Sequence, residues 1–143
     1  MPVRTAEAEW QGDLAHGNGN MRFGGGAFEG RYSFASRFES GSGTNPEELI
    51  AAAHAGCFSM AFSNELAKAG FTPRRVHTRA GAHLEKVGAG FKITAIDLDT
   101  EGDVPGITEA RFLEIAEGAK KNCPVSQALA AVEIRLNAKL AGS

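Results

Sequence analysis

The sequence predicts an α+β fold, with mostly antiparallel sheet around one long buried central helix. Three observations predict it. Residues 3–35 break into short segments that end in aromatics and are cut by glycines. Residues 45–69 form a capped run with few charges. The segments 76–84, 91–101 and 132–140 alternate apolar and polar positions, the period of a half-buried strand. With 143 residues the chain fits a single domain, 1–143. Its 43% apolar and 22% charged content argues against disorder.

In the first region AEAEW, MRF and GRYSFASRF are separated by Gly12, Gly17, Gly19, Gly24 to Gly26 and Gly30. This spacing predicts a meander of two or three strands joined by tight turns. Arg37 and Glu39, in SRFES, would then be a solvated pair at a strand end, where such a pair contributes little.

The central helix carries its own start and stop signals. Asn45 is a good N-cap, Pro46 suits the first helical position, and Glu47 and Glu48 face the positive helix end. Gly70 is the expected stop. Leu49, Ile50, Ala53, Cys57, Phe58, Met60, Ala61, Phe62 and Leu66 cover more than one face, which is the mark of a buried helix. A helix of about 24 residues is about 36 Å long, more than so small a domain can cover. The sequence therefore predicts an obligate homodimer in which two central helices pack on each other.

VHTRAGAHL and FKITAIDLDTE form the next hairpin, turning at VGAG. Val76, Thr78, Ala80, Ala82 and Leu84 share one face, and a phase slip at Ala95–Ile96 suggests a bulge. Residues 108–121 make an amphipathic helix capped by Thr108, with Phe112, Ile115, Ala116 and Ala119 inward. Pro124 can open a short helix directly after Cys123, and VEIRLNAKL is the last strand.

Composition also narrows function. A net charge of −2 gives no reason to expect nucleic acid as a partner. No uncharged run reaches the ~18 residues of a membrane span, and MPVRTAEAEWQGDL lacks the apolar core of a secretory signal. Two cysteines are too few for a disulfide scaffold, so a cytoplasmic location with both thiols reduced is expected. Among the four histidines only His54 is spaced to share a metal with a cysteine, Cys57, and two ligands do not make a structural zinc site. No metal, flavin or haem is implied.

The chemistry of the thiols is open on these grounds. Cys57 lies deep in its helix among apolar residues, where its pKa rises and attack needs a cation from elsewhere. Cys123 precedes a helix start, which favours its thiolate. Inert packing is the bland alternative for both, since free cysteine behaves as a small hydrophobe. A His54–Cys57 dyad lacks an orienting third group. The residues alone do not decide which cysteine attacks.

The block SRFESGSGTNPEELIAAAHAGCFSMAFS resembles the signature region of the OsmC family, thiol-dependent peroxidases named for the osmotically inducible protein C. The likeness extends to AEWQGDLAHGNG, AGFTP, VPGI and KNCPVSQAL, and so covers nearly the whole chain. It is closer to the OsmC branch than to the organic-hydroperoxide resistance branch, where the His54 position is commonly not histidine. The resemblance implies an OsmC-like fold, an intertwined homodimer, and reduction of hydroperoxides, organic ones preferentially. Cys57 matches the peroxidatic cysteine and Cys123 the resolving cysteine with which it forms a disulfide. Arg37 matches the arginine that stabilises the thiolate, and Glu47 the glutamate that holds that arginine. The family implies no cofactor and an external dithiol reductant, with dihydrolipoyl groups as plausible donors. The competing class is a non-catalytic dimeric binding or stress-protective protein with structural cysteines.

Glu47 and Cys57 are ten residues apart, about 15 Å along a continuous helix. Either the helix breaks between them or Glu47 serves Cys57 of the partner subunit. AAAHAG contains no proline, which favours the second option and a site at the dimer interface.

Overall fold

A computed structural model describes residues 1–142, which fall into two compact units, the first ending at Leu49 and the second beginning at Ile50. The first unit is the predicted meander. Strands β1 (Ala6–Gln11), β2 (Asn18–Phe23) and β3 (Phe28–Tyr32) pair antiparallel in the order β1-β2-β3. Gly19 sits in β2 because a Cβ there would come within 2.5 Å of the Tyr32 ring and 2.7 Å of the Trp10 ring. Those rings close over the glycine, their centroids 5.3 Å apart.

The segment after β3 departs from the expected strand. FASRF is a short helix, α1 (Phe34–Phe38). Ser33 and Ser36 form a reciprocal capping box, each side chain bonding the other's backbone N–H at 3.2 and 2.8 Å. With i,i+4 spacing Phe34 and Phe38 meet on one face of this turn, centroids 4.9 Å apart. Alternating aromatics in sequence thus concealed a helical pair, and Arg37 is not at a strand end.

Helix α2 (Pro46–Lys68) begins at the end of the first unit and runs unbroken through 23 residues. The Asn45 side chain accepts from the Glu48 N–H at 2.8 Å, the expected cap. At the far end Phe71 N–H reaches the Leu66 carbonyl and Gly70 N–H the Ala67 carbonyl, at 3.0 Å each. This is a Schellman stop, and Gly70 supplies the positive φ (+94°) that it requires.

In the second unit β4 (Arg75–Val87) and β5 (Gly90–Asp103) form the long hairpin, with β6 (Glu133–Leu140) on the other side of β5. The bulge falls at Thr94, one residue before the expected slip, since His83 pairs with Ala95 and Leu84 with Ile93. Strand β6 pairs with β5 in parallel, so this sheet is mixed. The crossover is made by helices α3 (Glu109–Asn122) and α4 (Pro124–Ala128), a connection that allows parallel pairing. The core gathers Phe58, Phe62 and Leu66 of α2, Ile96 and Leu98 of β5, and Phe112, Ala116 and Ala119 of α3. A polar chain also ties α2 to the sheet: the Ser59 hydroxyl donates to Thr78 Oγ1 at 2.7 Å, which lies 2.9 Å from Thr100 Oγ1. No helix among the described residues is long and apolar enough to cross a membrane.

Candidate active site

The four residues singled out from the sequence come together in two pairs. In the first unit, Arg37 meets Glu47. Its Nη2 donates to Glu47 Oε1 at 2.8 Å, and its Nε donates to Oε1 and Oε2 at 3.2 and 3.3 Å. The carboxylate is buried and the guanidinium is about one-third exposed (37%), so the pair has a covered anchor and an accessible head. Local sequence builds it. The Ser36 hydroxyl donates to the Thr44 carbonyl at 2.8 Å, and the Asn45 amide donates to the Ser36 carbonyl at 2.9 Å. Helix α1 is thereby stapled to the start of α2, one residue from Arg37 and two from Glu47. Two donors on one carboxylate fix the orientation of the guanidinium as a single contact would not. Glu39 is not the partner of Arg37.

The same arginine lines an apolar cleft of about 420 Å³ with Trp10, Leu14, Tyr32, Phe34 and Phe38. Its guanidinium carbon stands 5.3 Å from the centre of the Phe38 ring. That volume lies in the range of small-molecule sites.

The second unit holds the thiols. Cys57, on α2, and Cys123, between α3 and α4, are both free, and their sulfurs lie 2.9 Å apart across 66 residues of sequence. Cys123 is fully buried and Cys57 partly so. Burial pushes the Cys57 thiol up, and the hydrogen bond with Cys123 adds to this, against one opposing backbone N–H from Val125. Burial also works against the Cys123 thiolate. Hydrogen bonds from Cys57, from the Ser126 N–H and hydroxyl, and from the Val125 N–H outweigh it and hold that thiol below its ordinary value. Among the described residues of this unit the negative charge is therefore better placed on Cys123, and no cation acts on Cys57 to favour its thiolate.

His54 is not part of a dyad with Cys57. It is fully buried, and its Nε2 lies 2.7 Å from the Ser126 hydroxyl. Burial lowers its pKa, so the neutral ring is favoured. Ser126 was not among the residues expected to matter. It is 72 residues from His54, and the only sequence signal was its place in the CPVS stretch after Cys123. Among the described residues no group of three or more His, Cys, Asp or Glu is arranged to hold a metal.

The profile of the OsmC-like protein family matches residues 39–137. The chain is 49% identical over 138 residues to Peroxiredoxin OsmC of Escherichia coli (strain K12), covering 96% of each, and equally to that of Shigella flexneri. It is similar in structure to the organic hydroperoxide resistance protein OhrB of Bacillus subtilis, with a TM-score of 0.74 and 25% identity over 94% of this chain and 98% of that one. The fold is also that of an organic hydroperoxide resistance protein OsmC from Legionella pneumophila, with a TM-score of 0.76 at 23% identity, covering 97% and 99% of the two chains.

Proposed function

The chain belongs to the OsmC family and is a peroxidase acting on hydroperoxides, and we propose that it works through Cys57 and Cys123. The Cys57 thiolate attacks the terminal peroxide oxygen. An S–O bond forms, the O–O bond breaks, and the alkoxide leaves to take up a proton as the alcohol. Cys57 is now a sulfenic acid. Cys123, as thiolate, attacks the Cys57 sulfur and expels hydroxide, which is protonated to water, leaving a Cys57–Cys123 disulfide. An external dithiol, of the dihydrolipoyl type, exchanges with this disulfide, restores both thiols and is itself oxidised. No cofactor enters these steps.

The observation that carries this reading is the 2.9 Å approach of two free thiols so far apart in sequence. Cysteines kept only for packing have no need to meet. The lowered pKa of Cys123 suits the attacking partner in the second step. For the first step Cys57 needs a cation, and Arg37 is assigned that role, because a guanidinium stays protonated at any working pH. Its free edge also offers hydrogen bonds to the departing oxygen. Glu47 holds the guanidinium in place.

We further infer that the enzyme is a homodimer in which Arg37 and Glu47 serve Cys57 of the partner subunit. Helix α2 is unbroken between Glu47 and Cys57, which removes the alternative of a break. Ala52, Gly56, Met60 and Ala67 form an uncovered stripe along this helix, with Met60 76% exposed. A second α2 is the proposed cover. Organic hydroperoxides are the preferred substrates in this reading, their apolar part lodging in the aromatic cleft beside Arg37. The family match spans the junction of the two compact units, which supports reading residues 1–143 as one functional domain. The proposed compartment is the cytoplasm, where thiols are kept reduced.

Thiol titration before and after one equivalent of cumene hydroperoxide tests the proposal. Both thiols should be lost together, and mass spectrometry should find a Cys57–Cys123 bridge. Cys57→Ser should abolish turnover, and Cys123→Ser should permit a single stoichiometric reduction. Full activity in Cys57→Ser, or persistence of both thiols in the wild type, would return the cysteines to a structural role.

A further inference from the structure

His54 has no part in the steps above, yet it is fully buried one helical turn before Cys57. Its Nε2 is spent on Ser126 at 2.7 Å, and its Nδ1 has no hydrogen-bond partner among the described residues. A buried imidazole with one nitrogen unsatisfied is a costly choice at a position that a leucine could fill. Ser126, also buried, lies one turn after Cys123. The spacing on the two sides matches: residues 54 and 57 on α2 face residues 126 and 123 around α4. Two links therefore join the same pair of helical turns, one between sulfurs and one between His54 and Ser126.

The two links differ in what the reaction does to them. The sulfur contact is broken when Cys57 gains an oxygen, and it must be remade for the disulfide to form, with the sulfurs ending at about 2.05 Å. The imidazole–hydroxyl link is untouched by either step. Helix α4 has only five residues and needs an anchor while the sulfur contact is absent. Ser126 is also the residue whose N–H and hydroxyl face the Cys123 sulfur. With its hydroxyl proton directed there, its oxygen accepts from His54 Nε2–H, which leaves Nδ1 as the bare nitrogen.

We propose that His54 and Ser126 are a pair of positioning residues that hold Cys123 over the Cys57 sulfenic acid so that the disulfide forms before a second peroxide arrives. The inference rests on the two-thiol mechanism above. It assigns to the buried pair the speed of the resolving step and not that of the first attack. A sulfenic acid left unresolved is oxidised further to sulfinic acid, so this pair also sets the resistance of the enzyme to excess peroxide.

The test separates the two steps in full-length wild type, Ser126→Ala, His54→Leu and His54→Gln, using cumene hydroperoxide in rapid-quench experiments. Dimedone trapping reports sulfenic acid formation, and mass spectrometry reports disulfide and sulfinic acid. Losing one buried hydrogen bond should slow disulfide formation about tenfold in His54→Leu, and Ser126→Ala, which also removes the hydroxyl's bond to the Cys123 sulfur, should slow it at least as much. Sulfenic acid formation should keep its wild-type rate, and the sulfinic fraction at excess peroxide should rise. His54→Gln, whose amide can reach the same hydroxyl, should recover much of the resolving rate. Wild-type disulfide rates in both Ser126→Ala and His54→Leu would overturn the proposal. So would an equal fall in both steps, which indicates general loosening of the fold. A wild-type chain that accumulates sulfenic acid without ever forming the disulfide would overturn the two-thiol mechanism itself, and the positioning role with it.

Discussion

In the proposed mechanism the two compact units carry opposite halves of the reaction. The first has a fixed cation with no nucleophile: Arg37 is gripped by a buried carboxylate and opens onto an aromatic cleft. The second has two thiols, and among the described residues no cation acts on Cys57, where burial works against the thiolate of the residue assigned to attack first. The charge on Arg37 is already balanced by its own buried carboxylate, whereas a thiolate at Cys57 without a cation would be a costly charge. The difference teaches that the surroundings of Cys57 on its own helix do not favour its thiolate, which is why the proposed mechanism brings the charge to it across a dimer interface.

The largest effect should come from removing the charge. Arg37→Met should lower kcat/KM for cumene hydroperoxide about a thousandfold, and iodoacetamide labelling of Cys57 should shift to higher pH. If labelling of Cys57 keeps its pH midpoint, the cation acts elsewhere and the division of labour is wrong. Glu47→Gln leaves the charge and loosens its grip. It should cost about tenfold in kcat/KM, while Arg37→Lys, which keeps a charge but loses the fork, should fall between these two variants.

A mixture of Cys57→Ala and Glu47→Ala chains examines which subunit supplies which half. Random reassociation should recover about a quarter of wild-type activity if the halves come from different subunits. No recovery would assign both halves to one chain.

The smallest effect concerns stability. The folded pKa of His54 lies below its ordinary 6.5, because burial favours the neutral ring. Unfolded chains thus bind a proton that folded chains refuse, so this contribution is intact above pH 6.5 and is lost as the pH falls below it. Melting temperature should decline on acidification more steeply in the wild type than in His54→Gln. Parallel curves would show that the imidazole is not held neutral.

Features encoded within a few residues were legible in the sequence. The cap at Asn45, the stop at Gly70, the start of α3 at Thr108 and the proline opening α4 each rest on local hydrogen bonds that a residue type announces. Helix α1 was not legible, because its capping box uses Ser36 in place of the usual acidic partner and its two phenylalanines mimic strand alternation. The parallel seating of β6 on β5 depends on which edge the crossover reaches, and alternation is silent about that. The site divided the same way. Family resemblance pointed to Cys57, Cys123, Arg37 and Glu47, and the structure brings them together as two pairs. Ser126 escaped notice because its partner is 72 residues distant, and no spacing rule links a serine to a histidine over that separation.

The separation of the thiols has a further consequence. If Cys57 and Cys123 join, the bond closes a loop of 66 residues, spanning the long hairpin and α3. Cross-linking a loop of that size restricts the unfolded chain enough to add about 4 kcal/mol of stability. Each turnover would then carry the protein through a tightened state and back. Hydroperoxide would become a transient stabiliser of its own enzyme, and the reductant would restore the more yielding form.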